Sequence, residues 1–280
     1  MKIAILSGKG GTGKTFVAVN LAAVAEKATY IDCDVEEPNG RLFLKPQDVR
    51  TETVCTHLPC FDAQKCTACR RCVDFCRFNA LAFVADKPVV FADVCHSCGG
   101  CALICSADAV TEIEQPIGMI ECGMYENVKV ITGILDLGKA SGVPIIKAAL
   151  ELVASPADEL TVIDCPPGSA CTVMESVRVA DYCILVVEPT IFGLHNFKMV
   201  YQLVSLLGKR CGVIVNKADD GSSPSDNFCQ MHKIPVLCRI PYTDKLAFIG
   251  AYAQIACQKD EKTKELFQQI LETVYSEVAG

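Results

Sequence analysis

Two cysteine runs and one glycine-rich loop carry the chemistry legible in this chain. Cys66, Cys69, Cys72 and Cys76 follow a CxxCxxCxxxC spacing, and Cys95, Cys98, Cys101 and Cys105 repeat it 29 residues later. Thiolates bind soft metals, and close CxxCxxC turns let three sulfurs approach three corners of a cube while a fourth arrives from elsewhere. Near the N-terminus, Gly8-Lys9-Gly10-Gly11-Thr12-Gly13-Lys14-Thr15 follows an apolar run and opens a helical pattern. Glycines let successive backbone N–H groups converge on phosphate oxygens, and a helix N-terminus adds its dipole. Lys14 would face the β- and γ-phosphates of a nucleotide, and Thr15 would give its hydroxyl to Mg²⁺.

The flanks of the cysteine runs echo as well, CRFNAL against CSADAV, so the segment is an internal duplication with a metal-site period. In the bacterial two-cluster ferredoxin pattern, the fourth cysteine of each run ligates the other cluster. That crossing assigns Cys66, Cys69, Cys72 and Cys105 to one [4Fe–4S] cluster, and Cys95, Cys98, Cys101 and Cys76 to a second. Zinc is the rival metal, since CxxC pairs also build zinc sites; two complete runs favour iron–sulfur. The pattern usually places Pro after the fourth cysteine, where this chain has Arg77 and Ser106.

These groups need a scaffold. Strand-length apolar runs alternate with helical patterns: strands at 2–6, 29–32, 160–164, 182–187, 212–216 and 235–240, helices at 14–27, 144–154, 194–207 and within 259–278. Ser223 and Pro224 mark a further helix start. Buried strands alternating with helices predict an α/β fold, a parallel sheet covered on both faces. Residues 53–112 break the rhythm and read as an inserted α+β unit; 1–52 and 113–280 form the discontinuous main domain. The net charge of −7 argues against nucleic acid or an anionic membrane as partner. No apolar run approaches the ~18 residues of a membrane span, and the acidic final helix reads as core packing. Nineteen cysteines without a secretory signal point to a reducing cytoplasm and thiolate ligands.

The loop also holds an extra lysine, Lys9. With it, KGGTGKT resembles the deviant Walker A motif of the MinD/ParA/nitrogenase iron protein class. The resemblance implies a P-loop ATPase fold in which Lys9 reaches across a dimer to the partner's nucleotide. It implies further roles: Asp34 in YIDCDVEEPN positions the attacking water and Asp32 supports Mg²⁺. In VIDCPPGSAC, Asp164 holds Mg²⁺ through water and the Gly168 N–H senses the γ-phosphate. Asn216 in VIVNKAD binds adenine, and Pro241 in RIPYTD packs on the base. Nearly the full length resembles MinD-like ATPases carrying an inserted two-cluster ferredoxin domain.

Of the other cysteines, Cys33, Cys165, Cys183, Cys211, Cys238 and Cys257 read as small buried apolar residues, and Cys55 and Cys60 as spare thiols leading into the insert. Cys171, seven residues past Asp164, lies near where the related nitrogenase iron protein carries the ligand of a cluster shared between subunits. Cys122, before Gly123, is a second candidate for such an interface metal. Three functions stay open. ATP-driven dimer switching could gate electron transfer to a redox partner. The chain could instead assemble or deliver a metal centre at Cys122 and Cys171. It could also be a regulatory or positioning ATPase whose clusters sense redox state. A homodimer or a heterodimer with a related ATPase is expected in each case.

Overall fold

The computed structural model describes residues 1–153, 159–219, 221 and 223–279. Its centre is set by strands too apolar to alternate. In β1 (Lys2–Leu6), β2 (Ala28–Asp32), β8 (Leu160–Asp164) and β9 (Tyr182–Val187), every residue after Lys2 is buried. Strands buried on both faces require helices on both faces. With β3 (Gln47–Phe61), β6 (Val110–Tyr125), β7 (Val128–Leu135), β10 (Arg210–Ala218) and β11 (Val236–Pro241), they form a nine-stranded sheet of order β11-β10-β9-β1-β8-β2-β7-β6-β3. The pairs from β11 to β7 are parallel, and β6 and β3 add antiparallel.

One face is covered by α1 (Lys14–Val24), α2 (Gly40–Leu44), α9 (Asp244–Ala251) and α10 (Glu261–Ala279). The other is covered by α5 (Val143–Glu151), α6 (Cys171–Arg178), α7 (Ile191–Leu206) and α8 (Pro224–His232). Helix α10 buries Phe267, Ile270, Leu271 and Val274 in the core, as its apolar stripe predicts. Helix α8 begins at Ser223, whose N–H donates to Asp226 Oδ2 at 2.6 Å, with Pro224 in its first turn. Ala154, the expected end of α5, lies outside the described residues. Helix α1 ends at Val24, three residues short of the expected Lys27. Ala25 there turns to extended backbone to feed β2.

The segment expected to be irregular begins and ends in long strands. Gln47–Phe61 pairs with Val110–Tyr125 along its whole length, but β7 pairs only with Gly118–Tyr125. The outer half of the ribbon therefore runs beyond the sheet. Residues 53 and 112, the expected limits of the insert, fall on its two arms. Past the ribbon, residues 62–109 form a module of two short helices, α3 (Arg71–Phe75) and α4 (Gly100–Leu103), and a hairpin of β4 (Leu81–Val84) and β5 (Lys87–Val90).

The duplication is visible in its backbone. Left-handed residues recur at Ala68 and Ser97, Arg70 and Gly99, and Asn79 and Asp108, each pair 29 apart. The Asp62 N–H donates to the Ala109 carbonyl, and the Phe91 N–H to the Ala80 carbonyl, both at 2.8 Å. Phe61 pairs with Val110 as Val90 pairs with Leu81. Each half thus completes the other across an approximate two-fold. Ala80, Leu81, Gly100 and Ala109 are the module's buried residues. A core that small needs a staple to hold a unique fold.

Candidate nucleotide and cluster sites

The phosphate loop joins β1 to α1. Gly13 takes φ +90 and sits at the N-cap of α1 with no side-chain cap, so the first N–H groups of the helix open toward the cleft. A Cβ on Gly13 would lie 2.1 Å from the Asn216 amide nitrogen, and one on Gly8 would lie 2.4 Å from the Asn196 carbonyl oxygen. Asn216 donates from Nδ2 to the Thr12 carbonyl at 2.7 Å, so it braces the loop. Thr12 Oγ1 is buried without a partner among the described residues. Such an atom is one that a ligand oxygen would satisfy.

Lys14 is 6% exposed and donates to Asp164 Oδ1 at 2.6 Å, with Asp34 Oδ2 at 3.7 Å. Burial alone would lower its pKa, but Asp164, then Asp34 and Asp32, override this and raise it. Tyr30 donates to the other Asp164 oxygen at 2.9 Å. Asp32 accepts from the Gly40 and Asp34 N–H groups at 2.9 and 3.1 Å. Burial and the charge of Asp164 still push Asp32 up to about 8. Burial pushes Asp34 up to about 6.

A cleft of about 1520 Å³ runs along Lys9, Gly10, Gly11, Gly13, Lys14 and Thr15 to Asp34 and to Pro166, Pro167, Ala170 and Thr172. Asp32 and Asp164 stand behind Lys14 and do not line it. Gly168 takes φ +92, and its N–H donates to the Ser7 carbonyl at 2.9 Å. A neighbouring pocket of about 520 Å³ shares Gly13 and Phe16 with the cleft and is lined by Asn216, Pro241 and Tyr242. That places the residues expected around a base beside the phosphate loop. Phe16 and Tyr242 were not legible as its walls.

Lys9 pairs with Glu188 Oε2 of its own chain at 2.5 Å. Lys217 binds the other oxygen at 2.6 Å and reaches the Gly11 carbonyl at 2.8 Å. Burial would raise the Glu188 pKa, but the two lysines lower it. Glu188 and Lys217 went unnoticed in the sequence, although Lys217 directly follows Asn216 at a strand end.

The eight run cysteines gather around two cavities. Cys66, Cys69, Cys72 and Cys105 line one of about 370 Å³, walled by Phe61, Phe83 and Val110. Cys72, Cys76, Cys95, Cys98 and Cys101 line a second of about 530 Å³, so Cys72 lines both. Burial raises the pKa of Cys72 and of its repeat mate Cys101, while the Arg71 N–H and the Thr67 hydroxyl lower that of Cys69. Among the described residues, no three His, Cys, Asp or Glu side chains close on one metal-ion position. The thiols stand around the two cavities instead.

Cys122 lies in β6 opposite Ile131 and packs half-buried against the core. Cys171 is exposed at the start of α6 and faces a different cleft, which Cys122 does not line. Cys33, Cys165, Cys183 and Cys257 are buried as expected, and Cys211 and Cys238 are partly so. Among the described residues no helix is long and apolar enough to cross a membrane.

A profile of the CobQ/CobB/MinD/ParA nucleotide binding domain matches residues 3–254. An uncharacterized protein of Methanocaldococcus jannaschii is 28% identical over 279 residues, covering 98% of both chains. An iron-sulfur cluster carrier protein of Pyrococcus horikoshii is 55% identical over 42 residues, 14% of each chain. The cell division ATPase MinD of Pyrococcus furiosus superposes with a TM-score of 0.62 at 19% identity, covering 98% of both chains.

Proposed function

The chain belongs to the CobQ/CobB/MinD/ParA nucleotide-binding family, and on that premise we propose an ATPase whose nucleotide cycle gates electron transfer through two [4Fe–4S] clusters to a partner protein. One observation carries the reading. The thiols lining one cavity are Cys66, Cys69 and Cys72 of the first run with Cys105 of the second. Those lining the other are Cys95, Cys98 and Cys101 of the second run with Cys76, and also Cys72, of the first, on a ribbon rooted in the ATPase sheet. Apart from Cys72, which lines both cavities, this grouping supports the crossed ligation of two-cluster ferredoxins. In this reading the unit inserted over about residues 53–112 is ferredoxin-like, and Cys66, Cys69, Cys72 and Cys105 hold one cluster while Cys76, Cys95, Cys98 and Cys101 hold the other. When bound, such clusters supply one-electron transfer. The module's scant core agrees with a fold completed by its metal.

On the ATPase side, Lys14 and the loop N–H groups bind the β- and γ-phosphates, and Thr15 and Asp164 serve Mg²⁺, with Asp32 in support. Lys14 now occupies Asp164, so nucleotide arrival must draw the ammonium toward phosphate and free the carboxylate. Asp34, already in the cleft, orients the attacking water. For γ-phosphate to meet the Gly168 N–H, its bond to Ser7 must open, which moves the segment leading to α6. Lys9 must likewise leave Glu188 to reach a partner's nucleotide across a dimer. A chain of nineteen cysteines, eight of them read as cluster ligands, fits a reducing cytoplasm.

A second reading, assembly or delivery of an iron–sulfur cluster, draws on the 42-residue likeness to the carrier protein. It is the weaker one, because Cys122 and Cys171 face different surroundings. Metal analysis and spin counting test the first. Anaerobically purified protein should hold close to eight iron and eight sulfide per chain, at about four per cluster. That content should persist through ATP turnover with an apo-acceptor present. Stoichiometric zinc without sulfide would sink both readings, and loss of iron to the acceptor would favour delivery.

A further inference from the structure

A cleft lies between the cysteine module, the ribbon and the start of α5 and α6, and of the nucleotide and cluster residues above only Cys95 lines it. Lys139 and Lys147 form one wall. His57 and Cys55 from the ribbon, His96 from the module and Cys171 from α6 line it as well. Hydroxyls of Thr56, Ser97 and Ser141 and the amide of Gln115 complete its polar lining. No Asp or Glu lines it, although the chain carries 33 acidic against 26 basic residues. Among the described residues neither lysine has an ion-pair partner.

We infer that this cleft is a second ligand site, separate from the nucleotide cleft, for a small molecule bearing several oxyanion groups, carboxylate or phosphate. The enclosed space in it, about 460 Å³, suits a metabolite, since well-formed ligand pockets run to roughly 300–1,000 Å³. Two ammonium groups in a cleft that no carboxylate lines attract anions, and low-dielectric walls focus that field. Imidazole, hydroxyl and amide groups around them offer the convergent hydrogen bonds that orient such a ligand. The place of the site gives it leverage. Ala170 and Thr172 line the nucleotide cleft while Cys171 between them lines this one, so the first turn of α6 is a wall common to both. On its far side the ligand touches the loop holding Cys95.

The test uses the full metal-loaded chain with saturating Mg-ADP, which blocks anion binding at the phosphate loop. Citrate and inorganic phosphate are titrated separately by calorimetry, so the two arms separate carboxylate from phosphate chemistry. Alkylation of Cys171 by a maleimide is followed by peptide mass spectrometry. At least one anion should bind at one per chain and slow Cys171 alkylation. The double variant Lys139→Gln/Lys147→Gln should weaken binding at least tenfold. The charge-matched control Lys65→Gln/Lys87→Gln, on exposed parts of the module, should leave it unchanged. Mg-ADP affinity and iron content report that each variant is folded. The inference fails if neither anion binds below about 10 mM. It also fails if the control double loses as much affinity as the cleft double.

Discussion

Replacing Lys14 by Met removes the cation that stands among three acidic side chains, Asp164, Asp34 and Asp32. Lys14 is 2.6 Å from Asp164 and 3.7 Å from Asp34, and it lowers the pKa of buried Asp32 against the repulsion of Asp164. Methionine keeps the volume and removes the charge, leaving Asp164 at 0% exposure with Tyr30 as its donor. Breaking a buried ion pair from one side costs about 3–5 kcal/mol. With a urea m-value of about 2–3 kcal/mol/M, the unfolding midpoint should fall by roughly 1–2 M at pH 7.5. The pH dependence gives the mechanism. Asp32 and Asp34 titrate at about 8 and 6 in the folded chain, against about 3.9 unfolded. Between those values the folded state binds more protons, so stability falls as pH rises from about 4 to 8. Without Lys14 the carboxyls hold their protons still more tightly, and that slope steepens. The deficit of Lys14→Met should therefore shrink when urea unfolding, followed by circular dichroism, is repeated at pH 5.5. A variant as stable as its parent at pH 7.5, or a deficit indifferent to pH, would refute this view of the acidic cluster.

Other outcomes follow from the same geometry. Mg-ATP binding at pH 7 should release protons as Asp32 yields to the cation, visible as a binding enthalpy that depends on buffer ionisation enthalpy; equal enthalpies in all buffers would count against the role of Asp32. Lys9→Ala should weaken ATP-dependent dimerisation in an Asp34→Ala background, whereas Glu188→Gln, which loosens the intrachain hold on Lys9, should strengthen it. Sedimentation velocity distinguishes them, and unchanged association in both would make Lys9 a surface residue. Cys76→Ala should disturb the cluster of the second run and Cys105→Ala that of the first. Paramagnetic resonance of each reduced variant would expose an uncrossed arrangement as the reverse pattern.

The sheet was legible because its strands are apolar on both faces; Lys2–Leu6, Leu160–Asp164 and Tyr182–Val187 have the limits that their runs suggest. The ribbon was not. The first seven residues of β3 are exposed and carry Asp48, Arg50 and Glu52, so no buried face writes a period into the sequence. Pairing along the whole of β6 supplies what pattern does not. The 29-residue repeat was plain from cysteine spacing, and its echo in left-handed residues became visible only in the backbone. Glu188 escaped notice because a single acid after a strand carries no signal until two lysines from distant segments converge on it. The separation of Cys122 from Cys171 was equally hidden, since it depends on β6 running antiparallel beside β7.

The central claim joins the nucleotide cycle to the cluster module. Its most direct measurement is the reoxidation rate of the dithionite-reduced, metal-loaded chain by a one-electron viologen dye, with Mg-ATP and with Mg-ADP. The account predicts rates that differ at least tenfold between the two nucleotides in the parent and coincide in Lys14→Met. Equal rates in the parent, with both clusters present and ATP bound, would contradict it.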